Sequence, residues 1–299
     1  MRLKQALMHL GVIFVLCWAN SPLCATFKDS LGREVELAQE PERIVSLAPN
    51  ITEILYSLGL GERVVGVTRF SYYPAEAAKK PKVGSYIHLN VEKIIILSPD
   101  LVIGTVAGNN PGVINLVEQA GIQAFIVNAR DIQQVLETII DVGQVCGVPD
   151  KADLLAMNLR SRLEKVRQKI GARRKPLVFL QINLKPIMTV NSNSFLHDLI
   201  RQAGGINMAK DLKITYPRIS IEEVIRRKPE VIIISSMERG KRFETARQDW
   251  LKWRSIPAVK NNRVHLIDSD LIDRPSPRII DGLEAMARII HPDVEWEGK

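Results

Sequence analysis

Few residues of this chain stand at spacings that support catalysis. Four motifs of known catalytic or phosphate-binding sites are absent from the sequence: GxSxG, HExxH, CxxC and the P-loop. His197 precedes Asp198, but adjacent residues on a helix do not face each other. His265 and Asp268 fall in or beside a predicted strand, where their spacing alone indicates no acid–base pair. A binding protein is therefore the first functional class to consider, and an exported hydrolase is the second.

The composition is that of a globular protein. The chain has 299 residues, of which 46% are hydrophobic and 25% charged, enough for one large domain or two ordinary ones. No apolar run reaches the roughly 18 residues of a spanning helix, which excludes a protein with several membrane spans. The net charge is +8, but the basic residues are spread along the chain, and the densest group (residues 167–175) lies at a predicted helix end. We therefore expect no nucleic-acid partner.

The N-terminus has the pattern of a cleavable export signal. Arg2 and Lys4 precede the short apolar stretch Leu10–Trp18, and small residues follow. We predict a signal peptide over residues 1–25, with cleavage after Ala25 or alternatively after Ala19, and hence a periplasmic protein. The alternative, a buried first helix, fits the order of charge and apolar residues less well.

The three cysteines do not predict a disulfide framework. Cys24 follows Leu23, a poor fit to a lipoprotein signal, so we favour a soluble exported protein. Cleavage after Ala25 would remove Cys17 and Cys24 and leave Cys146 alone. Because Cys146 stands in an apolar helical stretch, we expect a buried thiol.

Alternating strand and helix patterns predict an α/β fold with mostly parallel strands. The apolar, strand-like runs are residues 44–47, 64–67, 101–103, 125–127, 177–182, 231–234 and 264–267. A helix is predicted after the first run, where Asn50 followed by Glu53 resembles a capping box and Gly59 and Gly61 end the helical pattern.

The two halves of the chain resemble each other and are separated by one long predicted helix. VEKIIILSPDLVIGT from Val91 aligns with IEEVIRRKPEVIIIS from Ile221, each predicting helix, proline turn and buried strand. Between the halves, apolar residues recur at three- and four-residue spacing from Leu155 to Ile170, which predicts a rod about 30 Å long. We predict two pseudo-symmetric α/β lobes (26–148 and 172–299), a linking helix (149–171) and a ligand cleft between the lobes.

Three motifs in the right order resemble the helical-backbone substrate-binding proteins of ABC importers. They are SLAPNITEILYSLGLGERVVGVT from Ser46, SPDLVIG from Ser98 and DRPSPRIIDGL from Asp273. The likeness runs from about Phe27 to the C-terminus and is strongest to the cobalamin receptors of the family, which also contains receptors for haem and ferric siderophores. It implies a monomeric, non-enzymatic receptor without a catalytic cofactor, which carries a macrocyclic corrinoid to a transmembrane permease.

The resemblance also implies two sets of functional residues. Glu92 and Glu222, one in each half, match the acidic residues that meet permease arginines in the family. The implied ligand contacts are Phe70, Tyr86, Thr105, Ile182, Tyr216, Asp270 and Arg274. Aromatic faces suit a flat macrocycle, and an Asp/Arg pair can bond its peripheral amides or phosphate, although Asp270 and Arg274 also have the spacing of a helical surface ion pair.

At two predicted ligand contacts the residue type differs from that of the cobalamin receptors, and one short segment suits haem as an alternative ligand. Thr105 and Ile182 stand where those receptors have aromatic residues, which predicts a roomier cleft. Tyr86 and His88 could ligate haem iron, because haem receptors of the family place an axial tyrosine nearby. A corrinoid is preferred to haem, and both are preferred to a siderophore.

Overall fold

The computed structural model of the protein describes residues 25–236 and 241–296. The predicted signal peptide therefore lies outside the described residues, apart from Ala25. A short antiparallel hairpin of β1 (Ala25–Lys28) and β2 (Glu34–Leu37) precedes the first lobe. None of the described helices is both long enough and apolar enough to cross a membrane.

The first lobe is a parallel sheet of four strands in the order β4-β3-β5-β6. The strands are β3 (Ile44–Ser46), β4 (Val64–Gly66), β5 (Leu101–Thr105) and β6 (Gln123–Val127). Its helices are α1 (Pro49–Ser57), α2 (Ala75–Ala78), α3 (Val91–Ile96), α4 (Pro111–Gln119) and α5 (Ile132–Val145), with a 3₁₀ turn at Gly61–Arg63. Alternate residues of β5 are buried in different clusters, Leu101 and Ile103 on one face and Val102 on the other, as expected of a parallel sheet covered on both sides.

The second lobe repeats this topology. Its sheet has the order β10-β9-β7-β8, which places the four strands in the same arrangement as those of the first lobe. The strands are β7 (Leu177–Gln181), β8 (Ile206–Asn207), β9 (Val231–Ser236) and β10 (Val264–Asp268). The helices after the linking helix α6 (Pro149–Ile170) are α7 (Phe195–Gln202), α8 (Ile221–Arg227), α9 (Lys241–Leu251), α10 (Pro257–Lys260), α11 (Ser269–Ile272) and α12 (Ile279–Ile290). The predicted architecture of two parallel α/β lobes is confirmed.

The linking helix is fixed to both lobes. Leu159, Leu163 and Val166 lie in one buried apolar cluster that includes residues of both lobes. A Cβ atom on Gly143 of α5 would lie only 2.2 Å from the Cβ atom of Ala152, so α5 and α6 approach closely there. On the other side, the guanidinium of Arg162 bonds carboxylates of α12, Asp281 at 2.6 Å and Glu284 at 2.9 Å. These contacts hold α6 as a packed element of the core.

Two sequence predictions of local detail have clear outcomes. The prediction that Asn50 caps the first helix is wrong, because the cap residue is Ala48 and no side-chain hydrogen bond caps α1. The prediction for Cys146 is confirmed: the thiol is fully buried, and burial raises its pKa to about 12. The lobe boundaries at residues 148 and 172 stay predictions.

Candidate functional site

The loops that follow the carboxyl-terminal edges of the two sheets meet between the lobes. Residues 70–73 follow β4 of the first lobe, and residues 269–278 follow β10 of the second. The hydroxyl of Tyr72 donates to Asp270 Oδ1 at 2.5 Å, and Arg274 Nη2 donates to the carbonyl of Phe70 at 3.5 Å. Ligands of α/β proteins bind outside the carboxyl ends of parallel strands. The region between the lobes where these loops meet, called the groove below, is therefore the candidate ligand site.

In the first lobe, the side chains predicted to contact the ligand differ in their exposure to solvent. Phe70 is 49% exposed, Tyr86 is half-buried, and Thr105, the last residue of β5, is buried. The ring of Tyr86 packs on Gly108, whose φ is 123° and where a Cβ atom would lie 1.8 Å from the ring. Only glycine suits such a close approach in that backbone conformation.

Asn109 holds this part of the groove together and was missed by sequence reasoning. Its buried amide donates to the carbonyls of Leu47 at 3.0 Å and Tyr86 at 2.8 Å, while its Oδ1 accepts from the backbone N–H of Thr105 at 2.7 Å. One side chain thus fixes the ends of β3 and β5 relative to the Tyr86 segment. An asparagine four residues after the end of β5, directly after Gly108, was the available signal.

Tyr86 lies in a tight turn that begins at Ser85 and ends at His88. The backbone N–H of Ser85 donates to the carbonyl of His88 at 2.9 Å, and the N–H of His88 donates to Ser85 Oγ at 3.0 Å. His88 is exposed. Among the described residues, no group of three or more His, Cys, Asp or Glu side chains is placed to hold a metal ion.

In the second lobe, Ile182 and Tyr216 lie on neighbouring segments beyond the strands. Ile182 directly follows β7 and is half-buried, with its N–H bonded to the carbonyl of Met188 at 2.9 Å. Backbone hydrogen bonds from Thr189 to Pro217 and from Asn191 to Thr215 then place the Tyr216 segment beside this loop. Tyr216 is 51% exposed and therefore available to a ligand.

Asp270 and Arg274 form the ion pair that their spacing allows, and they also contact the first lobe. Arg274 Nη2 lies 3.1 Å from Asp270 Oδ1, although α11 ends between them at Ile272. The Arg274 guanidinium also stacks over the Tyr72 ring, 4.5 Å from its centre. Both side chains are largely buried. Of the predicted ligand contacts, the structure brings Phe70, Asp270 and Arg274 together.

The largest omission of the sequence analysis is Glu53 on α1. Its carboxylate is 1% exposed and is bound by three side chains of the second lobe. Oε1 accepts from Arg274 Nη1 at 3.0 Å and Arg278 Nη2 at 2.7 Å, and Oε2 accepts from Ser276 Oγ at 2.6 Å and Arg278 Nε at 2.9 Å. Arg278 additionally stacks 3.8 Å over the ring of Tyr73. We call Glu53, Arg274, Ser276 and Arg278 the inter-lobe clasp.

Asp273 is a partly buried acid at the same edge of the second lobe. Burial raises the pKa of its carboxyl group to about 7, and the nearby charge of Asp270 adds to the increase. The hydroxyl of Ser235 donates weakly to both of its oxygens, at 3.3 and 3.4 Å, which partly offsets these effects. The group is therefore partly protonated near neutral pH.

Glu92 and Glu222 occupy equivalent places in the two lobes. Each is exposed in the first turn of the helix before a central strand, Glu92 in α3 before β5 and Glu222 in α8 before β9. Both helices have side-chain caps, since Asn90 accepts from the N–H of Lys93 and Ser220 from that of Glu223. Hydrogen bonds from its own backbone N–H and from Ser220 lower the pKa of Glu222, so it is charged at neutral pH.

A cavity of about 630 Å³ lies elsewhere, within the second lobe. It is bounded by the loop after β7, the start of α8 and α9. Its apolar lining includes Leu184, Pro186, Ile187, Ile221, Trp250 and Trp253. Because all of its lining residues belong to one lobe, this cavity differs from the groove to which both lobes contribute.

The sequence family described as Periplasmic binding protein matches residues 44–271, a span that includes both sheets and the linking helix. The chain belongs to this family. The family consists of solute-binding proteins, which agrees with a candidate ligand site between two lobes. A Vitamin B12-binding protein from Vibrio parahaemolyticus is 34% identical over 83% of this chain and 89% of that protein.

Solved structures agree with this assignment. The periplasmic vitamin B12-binding protein BtuF of Vibrio cholerae has a TM-score of 0.75 and 30% identity, and covers 84% of this chain and 97% of its own. The apo form of the periplasmic heme-binding protein RhuT from Roseiflexus sp. RS-1 has the same TM-score at 27% identity, over 84% of this chain and 98% of its own. The fold thus supports the predicted receptor architecture, and receptors for two different macrocycles share it.

Proposed function

We propose that this protein is an exported receptor that binds cobalamin or a related corrinoid between its lobes and delivers it to the permease of an ABC importer. The observation that carries the proposal is a chain of two parallel α/β lobes, whose loops meet beyond the carboxyl ends of their strands, that is 34% identical to a vitamin B12-binding protein. The protein acts as a monomer, requires no catalytic cofactor and transforms nothing. Its partners are the ligand and the permease rather than nucleic acid.

The groove offers the contacts that a corrinoid requires. Exposed Phe70 and Tyr216 and half-buried Tyr86 provide aromatic faces for stacking and apolar burial. Thr105 and Ile182 leave more room on two sides, and Asp270 and Arg274 provide groups for peripheral amides or a phosphate. Nanomolar affinity, about −12 kcal/mol, calls for substantial apolar burial in addition to these polar contacts.

Glu92 and Glu222 are proposed to dock the protein on the permease. Their equivalent positions let a permease with two similar halves meet one glutamate from each lobe. Each exposed ion pair contributes only about 0.2–1 kcal/mol, so the pairs set orientation and association rate more than total affinity.

Haem is the second candidate ligand, because a heme-binding protein shares the fold at a TM-score of 0.75. In that case Tyr86 and His88 are the side chains that would meet the iron. The turn joining them places both at the same edge of the first lobe.

Equilibrium dialysis of the mature exported protein against cyanocobalamin tests the proposal. We expect the coloured ligand to be retained at one molecule per chain. A Tyr216→Ala variant should retain less at limiting ligand, whereas Leu31→Ala, an exposed position on the hairpin, serves as the matched control. Absence of retained colour would contradict the corrinoid assignment.

A further inference from the structure

The inter-lobe clasp contains a fully buried charge whose partners all belong to the opposite lobe. The carboxylate of Glu53 is on the first lobe, and its four hydrogen bonds come from Arg274, Ser276 and Arg278 of the second. A buried charge without partners is strongly unfavourable. Moving the lobes apart at this point would leave Glu53 unpaired, so the clasp resists such movement.

Aromatic contacts extend the clasp along the groove. Tyr73 lies under the Arg278 guanidinium and Tyr72 under that of Arg274, so each arginine is held between Glu53 and a tyrosine of the first lobe. The orientation of both guanidinium groups relative to the first lobe is therefore fixed. Their planar guanidinium groups can satisfy a carboxylate and an aromatic face at once, which lysine cannot.

The clasp lies at a different place from the other attachments between the lobes. Helix α6 packs on α5 and α12. A second contact joins Asp198 of α7 to α5, where the carboxylate accepts from the N–H of Ile132 at 3.1 Å. If α6 were the only connection, one lobe could rotate relative to the other about the helix axis. Contacts between the lobes at a distance from α6 prevent that rotation.

We infer that the inter-lobe clasp sets the width and orientation of the groove, and that Glu53 is a positioning residue that holds Arg274 at the groove wall. The first part concerns the protein without ligand. The second part, an effect on ligand binding, rests on the proposed function. Glu53 acts through Arg274 and the lobe orientation, so its own contact with ligand is not required.

The direct test measures the distance between the lobes without ligand. Nitroxide labels on the substitutions Lys79→Cys and Lys213→Cys, both at exposed positions in opposite lobes, report this distance by pulsed electron spin resonance. The native Cys146 is buried and should not be labelled. We expect one narrow distance distribution in the otherwise unchanged protein and a broader or shifted one in Glu53→Gln. Glu42→Gln, an exposed glutamate, is the matched control and should leave it narrow.

A second variant distinguishes a loosened clasp from a misfolded protein. Ser276→Ala removes one hydrogen bond to Glu53 and leaves both charges paired, so it should fold and broaden the distribution less than Glu53→Gln. An unchanged distribution in both clasp variants would overturn the inference.

Cyanocobalamin affinity then tests the positioning role. If only about a tenth of the Glu53→Gln molecules have their lobes in the orientation that binds ligand, the apparent Kd rises about tenfold. An unchanged Kd would overturn the positioning role. If the unchanged protein binds no cyanocobalamin, the proposed function fails, while the distance measurement still decides the clasp.

Discussion

Replacing Asp273 by Asn removes a partly buried acid whose ionisation opposes folding. Its pKa rises from 3.8 to about 7 in the folded protein, chiefly because of burial. Between these values the folded state keeps the proton and the unfolded state releases it, so the contribution of Asp273 to stability falls as pH rises from about 4 to about 7. Above pH 7 the penalty is complete. At roughly 1.4 kcal/mol per pKa unit, it amounts to about 4 kcal/mol.

The Asp273→Asn variant should therefore be about 4 kcal/mol more stable than the unchanged protein at pH 8, and similar to it at pH 4. Asparagine keeps an oxygen that can accept from the Ser235 hydroxyl. Urea unfolding at pH 4, 6 and 8 gives the difference in the free energy of unfolding at each pH. Asp293→Asn, at an exposed aspartate, is the matched control and should change stability by at most about 0.5 kcal/mol. A difference that does not depend on pH would refute the argument.

Three further predictions concern ligand binding, docking and the buried thiol. Tyr86→Ala should weaken cyanocobalamin binding by about 1 kcal/mol or more in a titration, and an unchanged Kd would remove Tyr86 from the ligand site. The double variant Glu92→Ala/Glu222→Ala should impair uptake into cells yet bind ligand with unchanged affinity; loss of binding would count against docking. Because burial raises the pKa of Cys146 to about 12, its thiol should react with a disulfide reagent at pH 8 only after unfolding in urea, and rapid reaction of the folded protein would contradict its burial.

Much of the architecture follows from local patterns in the sequence. The strand runs are predictable because strands buried on both faces are continuously apolar. The linking helix is predictable because one face of it, including Leu159 and Leu163, is apolar at helical spacing. The two-residue strand β8 is too short to have such a pattern, and its pairing depends on β7.

The candidate site is predictable only in part. Resemblance led to Asp270 and Arg274, but their bonds to Tyr72 and Phe70 depend on how the lobes meet, which no local pattern encodes. Glu53 illustrates the limit: it stands where a capping residue would stand, and its true partners are more than two hundred residues away. A tertiary ion pair took the place of the local hydrogen bond that the spacing favoured.

Calorimetric titration of the mature exported protein with cyanocobalamin, with haemin in parallel, tests the central claim most directly. We predict nanomolar binding of the corrinoid at one site per chain. Binding of haemin alone would contradict the corrinoid assignment and make Tyr86 and His88 the candidate iron ligands. Absence of binding with both compounds would contradict a receptor for either macrocycle.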